Sequence, residues 1–276
     1  MNPHAQYPTS LAAMWRSVYS NRSLVRQLIG REIAGRYRGS VLGIAWSFFQ
    51  PLLMLAVYTF VFSMVLQTTW RGEVGDGKVN FAIILFSGLI VYGLFAECIN
   101  RAPTLILSNV NLVKRVVFPL EVLPVVMLGV AIFNLIVGLL ILFGAILLFG
   151  LDFHGSSLYL PLVLSPLLLM TLGLSLLLAA AGVYLRDLGH VVVVVTTILL
   201  FLSPVFYSIS AVPEKIRFVI YLNPLTFIIE QVRAVLIWGR TPDWLWLTVY
   251  GGCSLLVAWL GFSLFQWTRK GFSDVL

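Results

Sequence analysis

Charge is scarce in this chain of 276 residues. Asp, Glu, Lys and Arg together make up 11% of it, where an ordinary soluble domain carries about 25%. That scarcity, beside a hydrophobic share of 60%, excludes a soluble globular fold and puts the chain among polytopic membrane proteins. Cysteine is nearly absent too. Cys98 and Cys253 lie in or beside apolar runs, and without ligand spacing they predict neither a disulfide framework nor a metal site. The three histidines, His4, His154 and His190, are isolated and form no ligand cluster. The net charge is +7, but no exposed basic domain accompanies it. Nucleic-acid binding is therefore excluded, and the positive charge is expected to face anionic lipid headgroups.

What is present is organised around Arg31–Leu66, where three arginines precede a long apolar run. From Val41 to Leu66 no Asp, Glu, Lys or Arg occurs. A helix of that length would measure roughly 39 Å at about 1.5 Å per residue, enough to cross a hydrocarbon core of about 30 Å with some tilt. The leader of about 40 residues is too long for a cleaved signal peptide, and no small-residue cleavage site follows the run. The arginines in front of it are expected to hold the N-terminus in the cytoplasm.

Taken in order, Leu11–Arg36 has apolar residues at helical spacing and arginines around the rest of the wheel. It reads as one or two amphipathic helices in the cytoplasmic interface, with a break near Ser20-Asn21. Met1–Ser10 fits a flexible tail. The first span, 41–66, leads into a polar loop, Gln67–Asn80. Here Gly72–Lys78 matches the first seven positions of a P-loop, but Val79 stands where Ser or Thr must meet magnesium, and no strand precedes it. It reads as a turn-rich external loop. The second span, 81–99, contains Gly88, Gly93 and Glu97, and Glu97 is spaced to pair with Arg101 four residues on.

Arg101–Glu121 is too polar to cross the bilayer. Ser108 and Asn109 are capping candidates, Lys114 and Arg115 are basic, and Pro119 is a stop. A short helix parallel to the membrane, docking a soluble partner, competes here with an ordinary positive-inside loop. The third and fourth spans are 122–149 and 158–185. The fourth has a small-residue side at Gly173, Ser175, Ala179–Ala181 and Gly182, suited to close helix packing. The fifth, 188–207, carries five consecutive valines and Pro204. Ser208–Thr241 is apolar but divided by Pro213, Pro224 and Gly239. Its pieces Pro213–Leu222 and Leu225–Trp238 are too short to span, so they read as re-entrant half-helices in the outer leaflet. The sixth span, 244–267, has Trp244, Trp246 and Trp267 as interfacial anchors.

The basic residues test this topology. Six spans with both termini cytoplasmic place twelve of the 18 Lys and Arg inside and six outside, the asymmetry expected of inner loops. The fold class is therefore all-α integral membrane, a single transmembrane domain over 1–276.

Three functions suit such a chain: half of a transporter, a channel subunit, or a lipid-modifying membrane enzyme. The enzyme needs an acid–base pair or a nucleophile and base within mutual reach. The acids Glu97, Glu121, Asp187 and Glu230 instead fall near span ends on opposite sides. Secondary transport usually leaves midplane charge and internal repeats, and neither is evident. A pump powered from outside the chain fits best.

The runs RYRGSVLGIAWSFFQPLLML, NLVKRVVFPLEVLP and YLNPLTFIIEQVRAVLIWG then give a resemblance. Together they resemble the permease subunit of ABC exporters of cell-surface polysaccharide, most nearly those for O-antigen lipopolysaccharide, with capsule and teichoic-acid permeases next. The resemblance implies a homodimer in the bacterial inner membrane. It further implies two copies of a separate ATPase, which binds ATP and magnesium, and a lipid-pyrophosphate-linked glycan as cargo, with no cofactor or catalytic residue in this chain. It makes 109–119 the coupling helix that meets the ATPase, through Asn109, Asn111, Leu112, Val113, Lys114, Arg115, Val116, Phe118 and Pro119. It makes Leu11–Ile33 the interface helix and 213–238 the external gate, with Pro213, Asn223, Pro224, Glu230 and Arg233. The first and fifth spans would line a channel, offering Trp46, Phe49, Tyr58, Phe201, Phe206 and Tyr207 to sugar rings. Arg36 and Arg38 would meet the pyrophosphate, guanidinium matching phosphate geometry.

Overall fold

The computed structural model describes residues 8–66, 78–113 and 118–275, all of whose regular structure is helical. The P-loop-like run Gly72–Gly77 lies outside the described residues. Ser10 caps α1 (Leu11–Ser20), its hydroxyl accepting from the Ala13 N–H at 3.2 Å. The chain breaks at Asn21, as its sequence suggests, and resumes as α2 (Arg22–Tyr37). Ile29 of α2 packs so closely on Gly129 that a Cβ there would lie 2.3 Å from it.

The first span is continuous but not uniform. A 3-10 turn at Gly43–Ala45 leads into α3 (Trp46–Tyr58), which carries on as a π-helical stretch over Thr59–Val65. Pro51 sits inside α3, where it lacks the N–H that would reach back to the Ser47 carbonyl. Only 11% of this span is buried, against 72% of the second. α3 therefore stands at the edge of the bundle with most of its apolar surface uncovered, while α4 (Lys78–Leu105) forms its centre and packs on most other spans.

After α4 come a 3-10 turn at Leu107–Asn109 and the short α5 (Val110–Val113). The third and fourth spans are α6 (Val122–Leu148) and α7 (Leu160–Tyr184). The sixth is α11 (Trp244–Thr268), capped by Asp243 and followed by a 3-10 turn and α12 (Phe272–Val275). The small-residue side of α7 is used twice. A Cβ on Gly261 of α11 would lie 2.0 Å from the Gly173 carbonyl oxygen, and one on Gly182 would lie 2.0 Å from that of Pro103. Backbones thus touch backbones, which only residues lacking side chains permit.

Two expectations need correction. The fifth span, expected over 188–207, is α8 (Leu188–Leu202) and ends early. Its fifteen residues reach about 22 Å, short of a hydrocarbon core of about 30 Å. The cause is local: Pro204 disfavours helical geometry at the preceding residue, and Ser203 is extended at φ −83° and ψ 148°. Phe206 and Tyr207 consequently lie beyond the helix. The count of six crossings is also coarser than expected. Five described helices are long and apolar enough to cross a membrane, and a sixth is reached only by counting the bent pair as one span.

That pair is α9 (Glu214–Tyr221) and α10 (Pro224–Leu236), bent by 96°. Asn223 makes the bend. Its side-chain oxygen accepts from the Leu225 N–H at 3.0 Å, and its amide donates to the Leu199 carbonyl and the Ser203 hydroxyl, both at 2.9 Å. Pro224 follows at the first helical position, where its missing N–H costs nothing. α10 then buries its apolar face against α4 and α7.

The α7–α11 contact yields a test. Gly261→Ala and Gly173→Ala should each destabilise the protein by about 1–3 kcal/mol, the usual cost of overpacking. Gly251→Ala, on the same helix with nothing within 4 Å of its Cβ position, should not lower stability. Thermal unfolding in detergent micelles reads the difference.

Candidate functional site

The charged side chains described in this bundle gather at its two ends. At the end where α2 lies, Arg36 Nη2 and Glu97 Oε1 are 2.6 Å apart, and Asn134 of α6 donates to the other Glu97 oxygen at 2.7 Å. Arg101 pairs with Glu32 of α2, and its nitrogen is 3.8 Å from Glu97. The expected Glu97–Arg101 pair is thus the weaker contact; each residue has a nearer partner on α2. Partial burial pulls the Arg36 pKa down, but the hydrogen bond and charge of Glu97 outweigh it, and the net displacement is upward. Arg36 is therefore a permanent cation.

Beside this network, α2, α3, α4 and α6 enclose a cavity of about 510 Å³. Its polar lining comes from Arg36, Tyr37, Ser47, Gln50, Tyr58, Glu97 and Asn134. Arg38, the second phosphate candidate, is exposed at the C-cap of α2.

The same end carries the expected docking segment. Asn109 closes the 3-10 turn, its amide donating to the Leu105 carbonyl at 2.9 Å. Asn111, Leu112 and Val113 belong to α5, with Val113 buried. Lys114, Arg115 and Val116 lie outside the described residues. Phe118 and Pro119 are not helical; the Pro119 carbonyl accepts from the Val122 N–H at 3.0 Å at the entry to α6. Where the chain leaves this segment it is clamped. Arg269 donates to Glu121 Oε2 at 2.7 Å and to the Phe118 carbonyl at 2.9 Å, while Ser17 donates to Glu121 Oε1 at 2.8 Å. Both charged side chains are buried, at 8% and 9% exposure. One cluster ties the segment's exit to α1, α6 and the end of α11. Sequence spacing does not reveal it, because 148 residues separate Glu121 from Arg269.

At the opposite end the focus is Arg233 of α10, fully buried at 0% exposure. Its guanidinium donates to the carbonyls of Ile84 (3.1 Å), Pro204 (2.5 Å) and Val205 (3.2 Å), and to Glu230 Oε1 at 3.0 Å. It satisfies carbonyls that the break in α8 leaves without helical donors. Pro213 precedes α9 as its N-cap, and Asn223 and Pro224 form the bend.

The aromatic candidates form two groups. Trp46 and Phe49 meet edge to face at 6.4 Å on the exposed side of α3, and Tyr58 lines the cavity. Phe201 stacks on Phe206 at 5.8 Å, and Tyr207 donates to the Phe201 carbonyl at 3.1 Å. Among the described residues no ring contact joins one group to the other.

An all-helical bundle with five described helices long and apolar enough to cross a membrane is the architecture of a polytopic membrane protein. Residues 23–237 match the model of the ABC-2 type transporter family, and the chain belongs to that family. Among its relatives, the O-antigen export system permease protein RfbA of Myxococcus xanthus is 28% identical over 261 residues, covering 94% of this chain and 97% of that one. A permease of the same name from Klebsiella pneumoniae is 24% identical over 252 residues, covering 90% and 93%. The capsule polysaccharide export inner-membrane protein CtrC of Neisseria meningitidis serogroup A is 22% identical over 219 residues, covering 79% and 80%. The chain is thus an inner-membrane permease of the ABC-2 family, related to O-antigen and capsule polysaccharide export permeases.

The clamp can be tested by substitution. Glu121→Gln and Arg269→Gln should each cost about 3–5 kcal/mol, since each breaks a buried charge pair. The double substitution should cost less than the sum, by a coupling energy of about 0.5–3 kcal/mol. Chemical unfolding of the purified protein measures all three.

Proposed function

We propose that this chain is the membrane-spanning half of an ATP-driven exporter of a lipid-linked polysaccharide. The observation that carries the reading is the clamped segment between α4 and α6, in a family of transporter permeases whose near relatives are named for O-antigen export. O-antigen-type cargo is preferred over capsule because the O-antigen relatives match 90–94% of the chain and the capsule relative 79%.

In this reading the α2 end of the bundle is cytoplasmic, in keeping with its arginines, and 109–119 is the coupling element. A separate ATPase subunit docks there and supplies ATP and magnesium. When its two copies close, the segment moves. The Phe118–Arg269–Glu121 cluster carries that displacement into α6 and α11, and the Arg36–Glu97 and Arg101–Glu32 pairs carry it from α2 into α4.

A second copy of the chain is the natural cover for α3, whose apolar face one protomer leaves open. A channel between protomers would then be lined by α3 and α8, with Trp46, Phe49 and Phe201 turned toward the passing sugars. The lipid-linked pyrophosphate would meet Arg38 and, in competition with Glu97, Arg36. At the outer end α9 and α10 act as the gate, held by Arg233.

Two experiments test this. Co-reconstituted with its ATPase, the chain should move lipid-linked glycan only when ATP is hydrolysed, and alone it should hydrolyse none. Lys114→Glu with Arg115→Glu should weaken ATPase docking by about tenfold or more, equivalent to at least about 1.4 kcal/mol. Undiminished assembly and export would place the docking surface elsewhere. For the gate, Arg233→Ala in the assembled complex should raise passive ion leak through proteoliposomes; a leak equal to wild type, with the complex intact by size exclusion, would remove α9 and α10 from that role.

A further inference from the structure

α1 and α2 meet at Asn21 and leave a groove of about 340 Å³ between them. Its floor is apolar, formed by the half-buried Val18, Val25 and Ile29. Trp15 and Tyr19 line it at 72% and 61% exposure. Arg22 and Arg26, one helical turn apart, complete the lining. The Arg22 guanidinium is fixed at the rim: it lies 4.5 Å above the Tyr19 ring and donates to the Tyr19 carbonyl at 3.2 Å.

We infer that this groove is a binding site for one anionic phospholipid of the surrounding bilayer, distinct from any cargo. Three observations converge on that occupant. The trough is apolar along its floor and cationic along one edge, which matches an acyl chain joined to a phosphate. Trp and Tyr, the rings that favour the boundary between hydrocarbon and water, line the same trough. The charge is one-sided: residues 1–66 contain six arginines and a single acid, Glu32, and Arg101 already occupies Glu32. An anion at the groove therefore meets no carboxylate from α1 or α2. Guanidinium groups one turn apart can share the phosphate oxygens of a headgroup. The inference rests on α1 and α2 lying in the membrane interface. It needs neither the ATPase nor the glycan.

Trp15 supplies the reporter. The full-length chain is reconstituted in nanodiscs containing brominated phosphatidylglycerol, or brominated phosphatidylcholine at the same mole fraction. The Trp15 component is the difference in quenching between wild type and Trp15→Phe. Brominated phosphatidylglycerol should quench that component in preference to phosphatidylcholine. Arg22→Gln and Arg26→Gln should each weaken the preference by about fivefold, the share of one arginine near an anionic surface. Arg16→Gln, on α1 but outside the groove, should change it far less. Equal quenching by the two lipids would overturn the site, as would an Arg16→Gln effect equal to that of Arg22→Gln. So would a Trp15 signal that no lipid quenches, or one shielded when the ATPase subunit is added, which would assign the groove to that partner. Because the readout uses no nucleotide and no glycan, its failure is separable from a failure of the export reading.

Discussion

Inside a bilayer no water is at hand to complete a broken helix, so every interruption must find its donors within the protein. This constraint fixes the end of the bundle that carries the bent pair. α8 stops at Leu202 because Pro204 cannot continue it, and the carbonyls of Pro204 and Val205 are left facing inward. Arg233 supplies the missing donors and reaches the Ile84 carbonyl as well, which binds α10, α4 and the α8 break into one unit. Asn223 does the complementary work from the far side of the bend, donating to Leu199 and Ser203 while capping α10. One guanidinium and one carboxamide thus explain why an apolar stretch with two prolines packs as a bent pair.

The end where α2 lies follows a different rule. Its ion pairs join elements far apart in the chain, and they differ in kind. Arg36 and Glu97 keep 34% and 19% side-chain exposure, so solvent screens them and their net contribution is modest. Arg269 and Glu121 are nearly sealed off, and their value lies in geometry. A buried pair with hydrogen bonds on both oxygens holds α1, α6 and α11 in a single arrangement. The proposed coupling segment thus has a stiff attachment at its exit.

Much of this was legible from local chemistry. The break at Asn21, the cap and proline of the α9–α10 bend, and the glycine side of α7 all follow from what single residues do to a backbone. Pro204 was legible too, but its effect on Phe206 and Tyr207 was not, because an apolar run reads as helix until its last donor is counted. Ion pairing was the least visible. Spacing pointed Glu97 to Arg101, whereas the nearer partners lie 61 and 69 residues away. Asn134, the lone carboxamide in an apolar span, was the available hint that something polar lay opposite it. The roles of the docking segment and the aromatics rest on kinship, which geometry within one protomer does not replace.

The contact between Gly173 and Gly261 has a consequence for motion. Two helices whose main chains touch cannot slide or roll past each other without colliding, so α7 and α11 make up one rigid body. Any displacement that reaches α11 must then carry α7 with it, and the two act as a single rod.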